Sequence, residues 1–428
     1  MAQANARSLL MNVHKKENVS LLSTEAQSPN YRGFFNLGAI ILIVANFRLI
    51  VENVLKYGFL LQHPVEFIND YLSAPCFLTW LSNIFPAIFA YYLETRQALK
   101  ISQTLTRLIQ FILQCYILIM PLCVISHYKV HFVPAFLLLT YHLIVSLKLY
   151  SFGSVMYEAR EAYATKEYLN YPAEIKEVIA KYPNFTNITH FIYFLFYPTM
   201  CFQFHYPRTQ RIRKTWLFKR IFEFIISSSL MLILIQQYIT PLLKNTIKVL
   251  EEENINYVIL LERHLKLCLP NLYLWLILFY SSFQCQFNIL SEITRFADRE
   301  FYKEWWNSRT LGEYWRTWNL PVHNWLLRHV YFPMVNKKYG KTFSMLVTFL
   351  LSAVAHEYMV SGACRILTYW AFLAMMSQIP MIVIGDIFKK QLEKSQIGNV
   401  VFWVLFCMIG QPIIVIIITH QAYIGSKS

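Results

Sequence analysis

The strongest chemical signal in this chain is Ser352-Ala-Val-Ala-His356-Glu357-Tyr358, set in the apolar run 342–364, whose only carboxylate is Glu357. An ionisable group inside such a run is costly. The scale is roughly 2.5–3.5 kcal/mol for a central Asp, Lys or Arg and less for a neutral imidazole, so the residue implies a purpose. Neutral histidine accepts a proton near physiological pH, which suits His356 to act as general base on a hydroxyl group. Ser352 precedes it by one helical turn and shares its face, while Ala353 and Ala355 leave room alongside. The competing reading is a His–Glu pair that only holds helices together.

A second constellation is Phe301-Tyr-Lys-Glu-Trp-Trp-Asn307, followed by Trp315-Arg-Thr-Trp318-Asn319-Leu-Pro-Val-His323. Charged and amide groups alternate with large aromatics, as in an interfacial helix with an aromatic belt. Pro321 starts or breaks a helix just after Asn319, and amides freed near a bend can bind a substrate oxygen. Gln378 and Gln411 are isolated polar residues in apolar runs. They either bond across the helices or line a tunnel. The basic cluster Arg208, Arg211, Arg213 and Lys214 fits an anionic co-substrate, a lipid surface or a topology signal.

These groups need a scaffold, and the composition says which kind. Of 428 residues, 56% are hydrophobic, 17% aromatic and 15% charged, against about a quarter charged in a soluble domain. The apolar residues fall in runs, not in amphipathic stripes. Spans of roughly 20 apolar residues predict nine transmembrane helices near 34–60, 72–93, 106–127, 130–150, 221–243, 266–291, 342–362, 366–388 and 398–422. Phe191–Phe204 is shorter and carries Pro198, so it reads as re-entrant or interfacial. Residues 1–32 form a polar tail without periodicity, and 33–428 a single transmembrane domain.

The net charge of +15 is concentrated in alternate connections, namely 94–105, 151–220, 292–341 and 389–397. That pattern puts the N-terminus and these connections in the cytosol, leaves the C-terminus luminal, and makes nucleic-acid binding unnecessary as an explanation. Eight cysteines without C-x-x-C or metal-like spacing predict neither a disulfide framework nor a metal site. The two long connections, 151–220 and 292–341, suit a layer that handles a water-soluble co-substrate.

Taken together, Asp298-Arg-Glu-Phe-Tyr-Lys-Glu-Trp-Trp-Asn307, Trp318-Asn-Leu-Pro-Val-His323 and His356-Glu-Tyr358 resemble the membrane-bound O-acyltransferases. Tyr31-Arg-Gly33, Pro207-Arg208 with Arg211-Ile-Arg-Lys214, Met375-Met-Ser-Gln-Ile-Pro380 and Gly410-Gln-Pro412 extend the likeness to nearly the whole chain. Asn-Leu-Pro-Val-His-Asn-Trp and Met-Met-x-Gln-Ile-Pro are similar to the diacylglycerol-acylating branch; the sterol-acylating branch shares the Phe-Tyr-x-Asp-Trp-Trp-Asn signature. Two departures stand out: Glu304 replaces the family's Asp, and Ser151-Phe-Gly-Ser154 is less polar than its counterpart.

The resemblance implies an all-α polytopic fold and transfer of an acyl group from acyl-CoA to diacylglycerol, giving triacylglycerol. Acyl-CoA is then a co-substrate, and no other cofactor is implied. His356 is implied as the catalytic base, Asn319 as its companion near the thioester, and Glu357 as the carboxylate supporting His356. Trp315, Trp318, His323, Tyr331, Lys341, Ser352, Gln378 and Gln411 are implied to line the acyl-CoA and acceptor tunnels. An endoplasmic-reticulum homodimer, joined through the N-terminal tail, is implied as well. Two rivals stay open: another alcohol acceptor (a sterol, retinol or a fatty alcohol), or a transporter in which His356 lies on a proton or ion path.

Overall fold

A computed structural model describes residues 37, 40, 49–60, 73–96, 102–181, 186–393 and 397–427. The chain divides into two units, residues 1–60 and 61–428. In the first, residues 49–57 are helical. The expected polar tail 1–32, Tyr31-Arg-Gly33 and most of the expected span 34–60 lie outside the described residues.

The second unit is built from helices, and no strand occurs among its described residues beyond an isolated bridge between Arg208 and Phe296. In chain order we label α1 (Ala74–Thr95), α2 (Gln103–Tyr128) and α3 (Phe132–Thr165), then the short α4 (Ile188–Phe196). A long helix, α5 (214–250), follows, then α6 (Tyr257–Thr294). Two short helices come next, α7 (Leu311–Thr317) and α8 (320–336). The last three are α9 (Lys341–Cys364), α10 (Trp370–Ile387) and α11 (Ile397–Gly425).

Seven of these helices (α1–α3, α6 and α9–α11) are long and apolar enough to cross a membrane. The count of nine is therefore not reached among the described residues. The expected span 221–243 does lie in a helix, α5, but Glu223, Ser227–Ser229 and Gln236–Gln237 interrupt its apolar run, and residues 234–239 form a π turn.

Most observed helices overrun the expected boundaries. The largest difference is α3, which continues fifteen residues past the expected end at 150, to Thr165. Its extension is amphipathic and so escapes a search for purely apolar runs. It stays helical because Arg160 forms a buried ion pair with Glu94 of α1, to which Gln110 of α2 also donates. The segment Ser151–Ser154 is accordingly helix and not loop. The Ser151 hydroxyl accepts the Phe202 N–H and bridges to Nε2 of His329, each at 2.8 Å.

Inside this frame the second aromatic-rich connection is not a surface belt. Trp305 and Tyr314 are buried and pack with Phe402, flanked by Trp275, Trp315, Trp318 and Phe406. Buried Phe301 belongs to a larger aromatic cluster with Phe152, Phe191, Phe194 and Phe202. Offset and edge-to-face contacts add to the burial of rings this large. The result is a rigid aromatic floor for the site.

Candidate active site

The site is a cavity of about 1440 Å³ whose walls come from α2, α3, α5–α7 and α9–α11. Ordinary small-molecule pockets span roughly 300–1,000 Å³, so this one can take a long apolar chain. From α9 it receives His356, Val360, Ala363 and Cys364. Their spacing of four, three and one places them on one helical face.

The His356 ring is fixed from both sides. Nδ1 lies 2.8 Å from the backbone carbonyl of Ser352. A carbonyl can only accept, so the proton of the neutral ring resides on Nδ1 and Nε2 keeps its lone pair. The Trp315 indole stands edge-on to the imidazole, with centroids 6.5 Å apart. Trp315 is itself held by its Nε1–H, which donates to Oε1 of Gln378 at 2.8 Å.

On the opposite wall, Asn271 donates through Nδ2 to Oε1 of Gln411 at 3.2 Å. With Gln411 Oε1 occupied as an acceptor, its Nε2 hydrogens are the donors it has for a substrate oxygen. His356, Trp315, Trp318, Gln378 and Gln411 all line the one cavity.

Other expected site residues are placed differently. The Ser352 hydroxyl is not the group that orients His356; the backbone carbonyl of the same residue is. Glu357 has no hydrogen bond to His356, because neighbours on a helix diverge by about 100° and face different partners. Its carboxylate instead accepts the Ser361 and Thr368 hydroxyls and the Tyr369 and Phe372 N–H groups. It thereby pins the turn that starts α10 and, with it, the wall carrying Gln378.

Asn319 is the N-cap of α8, its Oδ1 accepting the Val322 N–H at 3.2 Å. It adjoins cavity-lining Trp318 but is not itself in the wall. His323 lies on α8, Tyr331 ends the π turn Leu327–Tyr331, and exposed Lys341 starts α9. None of the three is in the cavity wall.

Burial, then the charge of Arg316, pushes the His323 imidazole below its usual pKa. Burial, then neighbouring Arg328, pushes His329 down to about 4. Both are therefore neutral at pH 7.

Of the basic cluster, Arg213 is committed to Glu292 at 2.9 Å, and Arg208 lies over the Tyr193 ring at 4.8 Å. Glu304 reaches the signature asparagine despite its extra methylene, its Oε2 accepting from Asn307 Nδ2 at 3.0 Å. No group of three or more His, Cys, Asp or Glu among the described residues is arranged to hold a metal.

Among the wall residues not singled out from the sequence are Asn271 and Trp275. Asn271 follows Pro270 in an otherwise apolar run, the same signal that drew attention to Gln378 and Gln411.

Residues 68–419 match the model of the membrane-bound O-acyltransferase family. The chain is 37% identical to diacylglycerol O-acyltransferase 1C of Glycine max over 95% of its own length and 78% of that protein. It is 38% identical to diacylglycerol O-acyltransferase 1-1 of Oryza sativa, covering 96% and 76%. With diacylglycerol O-acyltransferase 1 of Homo sapiens it shares 36% identity over 95% and 83%. With the family model matched across most of the chain and relatives 36–38% identical over nearly its whole length, this chain belongs to the membrane-bound O-acyltransferases.

Proposed function

We propose that this chain esterifies diacylglycerol with the acyl group of acyl-CoA, giving triacylglycerol and free CoA. The observation that carries the reading is His356 on the wall of a large apolar cavity, with Nδ1 tied to a carbonyl and Nε2 left as a base. The diacylglycerol acyltransferase activity for which the relatives are named supplies the acceptor.

In this mechanism Nε2 of His356 takes the proton from the diacylglycerol hydroxyl while that oxygen attacks the thioester carbonyl. The Nε2–H groups of Gln411 steady the developing oxyanion, and Nδ2 of Asn319 serves the thioester from the α8 side. The C–S bond then breaks, and the departing thiolate takes the proton back from the imidazolium. No acyl-enzyme is required, since none of the cavity's Ser or Cys residues pairs with His356.

Trp315, Trp318 and Gln378 hold the acyl chain. His323, Tyr331 and Lys341 meet the CoA portion near the start of α9, with Ser352 one turn from the base. Acyl-CoA and diacylglycerol are thus the small-molecule partners, the first as a co-substrate in place of any cofactor. An endoplasmic-reticulum location, a cytosolic N-terminus and a homodimer joined through the N-terminal tail complete the proposal. The bias of Lys and Arg towards alternate connections supports the orientation.

The test is transfer of labelled oleoyl from oleoyl-CoA by membranes expressing the chain, with diacylglycerol or cholesterol as acceptor. Labelled triacylglycerol supports the reading. Cholesteryl ester alone would move the chain to the sterol branch, and no ester with any alcohol would revive a transport role.

A further inference from the structure

The cavity does not end at His356. It runs along α9 to the turns at the far end of that helix, where its wall includes Lys129, His131 and Arg365. Lys129 is the left-handed C-cap of α2, His131 the N-cap of α3, and Arg365 the left-handed C-cap of α9. Packing of Ile125, Val130, Ala135 and Leu139 against Ala363 joins the two turns in one buried cluster, which fixes the three basic residues at one rim.

Two features make this rim unusual. No Asp or Glu is among the described residues of the cavity wall, and Glu251, which accepts the Tyr423 hydroxyl at 3.3 Å, is outside that wall. Moreover, the rim lies at the opposite end of α9 from Lys341, away from the lysine- and arginine-rich connections. The charge bias that orients membrane proteins therefore gives no account of cations here. Exposed Lys129 and Arg365 sit above an apolar shaft, which is complementary to an amphiphile with an anionic head.

We propose that this rim is a binding site for a lipid bearing a phosphate head, seated between Lys129 and Arg365 with its acyl chains in the cavity below. Arg365 lies nine positions beyond His356, about 14 Å along the helix at 1.5 Å per residue. A phosphate held there keeps the ester groups of its own glycerol near the rim and sends only methylenes past the base. The occupant is thus not an acyl acceptor; it fills the space that a neutral acceptor's chains would use. This last consequence rests on the acyl-transfer reading, whereas the binding itself does not.

The test measures binding without turnover. Native mass spectrometry of the full chain in a non-ionic detergent follows retention of dioleoyl phosphatidate, dioleoyl phosphatidylcholine and dioleoylglycerol, with and without millimolar inorganic phosphate. Wild type is expected to retain phosphatidate preferentially and to keep it against inorganic phosphate. The pair K129Q/R365Q loses that preference, by roughly 30-fold for two cations at a lipid surface, while R365K retains it. An unchanged thermal midpoint for K129Q/R365Q establishes that the loss is not unfolding. If the midpoint falls, K129R/R365K replaces it and must keep the preference. Equal retention of the three lipids by wild type, or an undiminished preference in folded K129Q/R365Q, overturns the proposal. Displacement by inorganic phosphate overturns its lipid component.

Discussion

The Nδ1–H of His356 donates to the main-chain carbonyl of Ser352, one helical turn earlier in α9, at 2.8 Å. That single bond chooses the tautomer and aims the basic nitrogen, because a backbone carbonyl has no proton to offer. It also separates the backbone of Ser352, which orients the ring, from its hydroxyl, which does not.

Replacing His356 with Ala should lower kcat for acyl transfer by about 10²–10⁴, the usual contribution of a positioned general base. Labelled oleoyl-CoA and diacylglycerol supplied to membranes with matched protein levels provide the measurement. Full activity in this variant would remove His356 from the base role.

Ser352→Ala, by contrast, should leave kcat within about twofold, since the carbonyl survives and a single exposed or half-buried substitution away from a special feature has little effect. A loss approaching that of the His356 variant would mean that the hydroxyl itself participates.

Glu357→Gln should act through structure first. The carboxylate gathers four donors, Ser361 on α9 and three at the start of α10, and an amide offers one acceptor oxygen in its place. The expected cost is about 2 kcal/mol for the stranded donors, read as a lower unfolding midpoint in detergent. Activity should fall with displacement of Gln378, seen as a higher KM for acyl-CoA. A pH–rate profile whose acidic limb, set by loss of the proton from the base, is unmoved would separate this from a direct effect on His356.

Asn271 and Gln411 are joined by a direct hydrogen bond of 3.2 Å in the cavity wall. A double-mutant cycle with N271L and Q411L should give a coupling of about 0.6 kcal/mol, the average for hydrogen bonds within membranes. If Gln411 also steadies the oxyanion, Q411L lowers kcat far more than N271L does. Equal kcat effects would leave Gln411 as structural only.

Acid should loosen the junction between α3 and α8. His329, held near a pKa of about 4 mainly by burial, binds fewer protons in the folded state than in the unfolded one below its usual value near 6.5. Its contribution to stability is therefore complete above pH 6.5 and is lost as pH falls towards 4. His329→Gln should flatten the dependence of the unfolding midpoint over that window. An unchanged slope would assign the acid sensitivity to other groups.

How much of this was legible in the sequence depends on what each residue signals locally. His356, Gln378 and Gln411 stood out because polar groups in apolar runs are expensive, and they do share a cavity with Trp315 and Trp318. Glu357 was misdirected by adjacency: next to His356 in sequence, it points elsewhere on the helix. Ser352 had the right register, but the relevant atom is one every residue possesses. The Trp-rich connection looked interfacial because aromatics at polar edges usually are, and only tertiary packing buries Trp305 and Tyr314. The end of α3 was lost because its continuation is secured by Glu94, a partner 66 residues away.

The position of His356 along α9 has a further consequence. Fifteen positions separate it from Lys341 at the start of the helix, a depth of about 22 Å at 1.5 Å per residue. If the nucleotide of acyl-CoA is held near Lys341, as proposed above, its thioester carbonyl has to be lowered to the base on a thin, flexible arm. On that proposal the donor is gauged by length: a thioester on a truncated carrier would present the same carbonyl but stop short of the base.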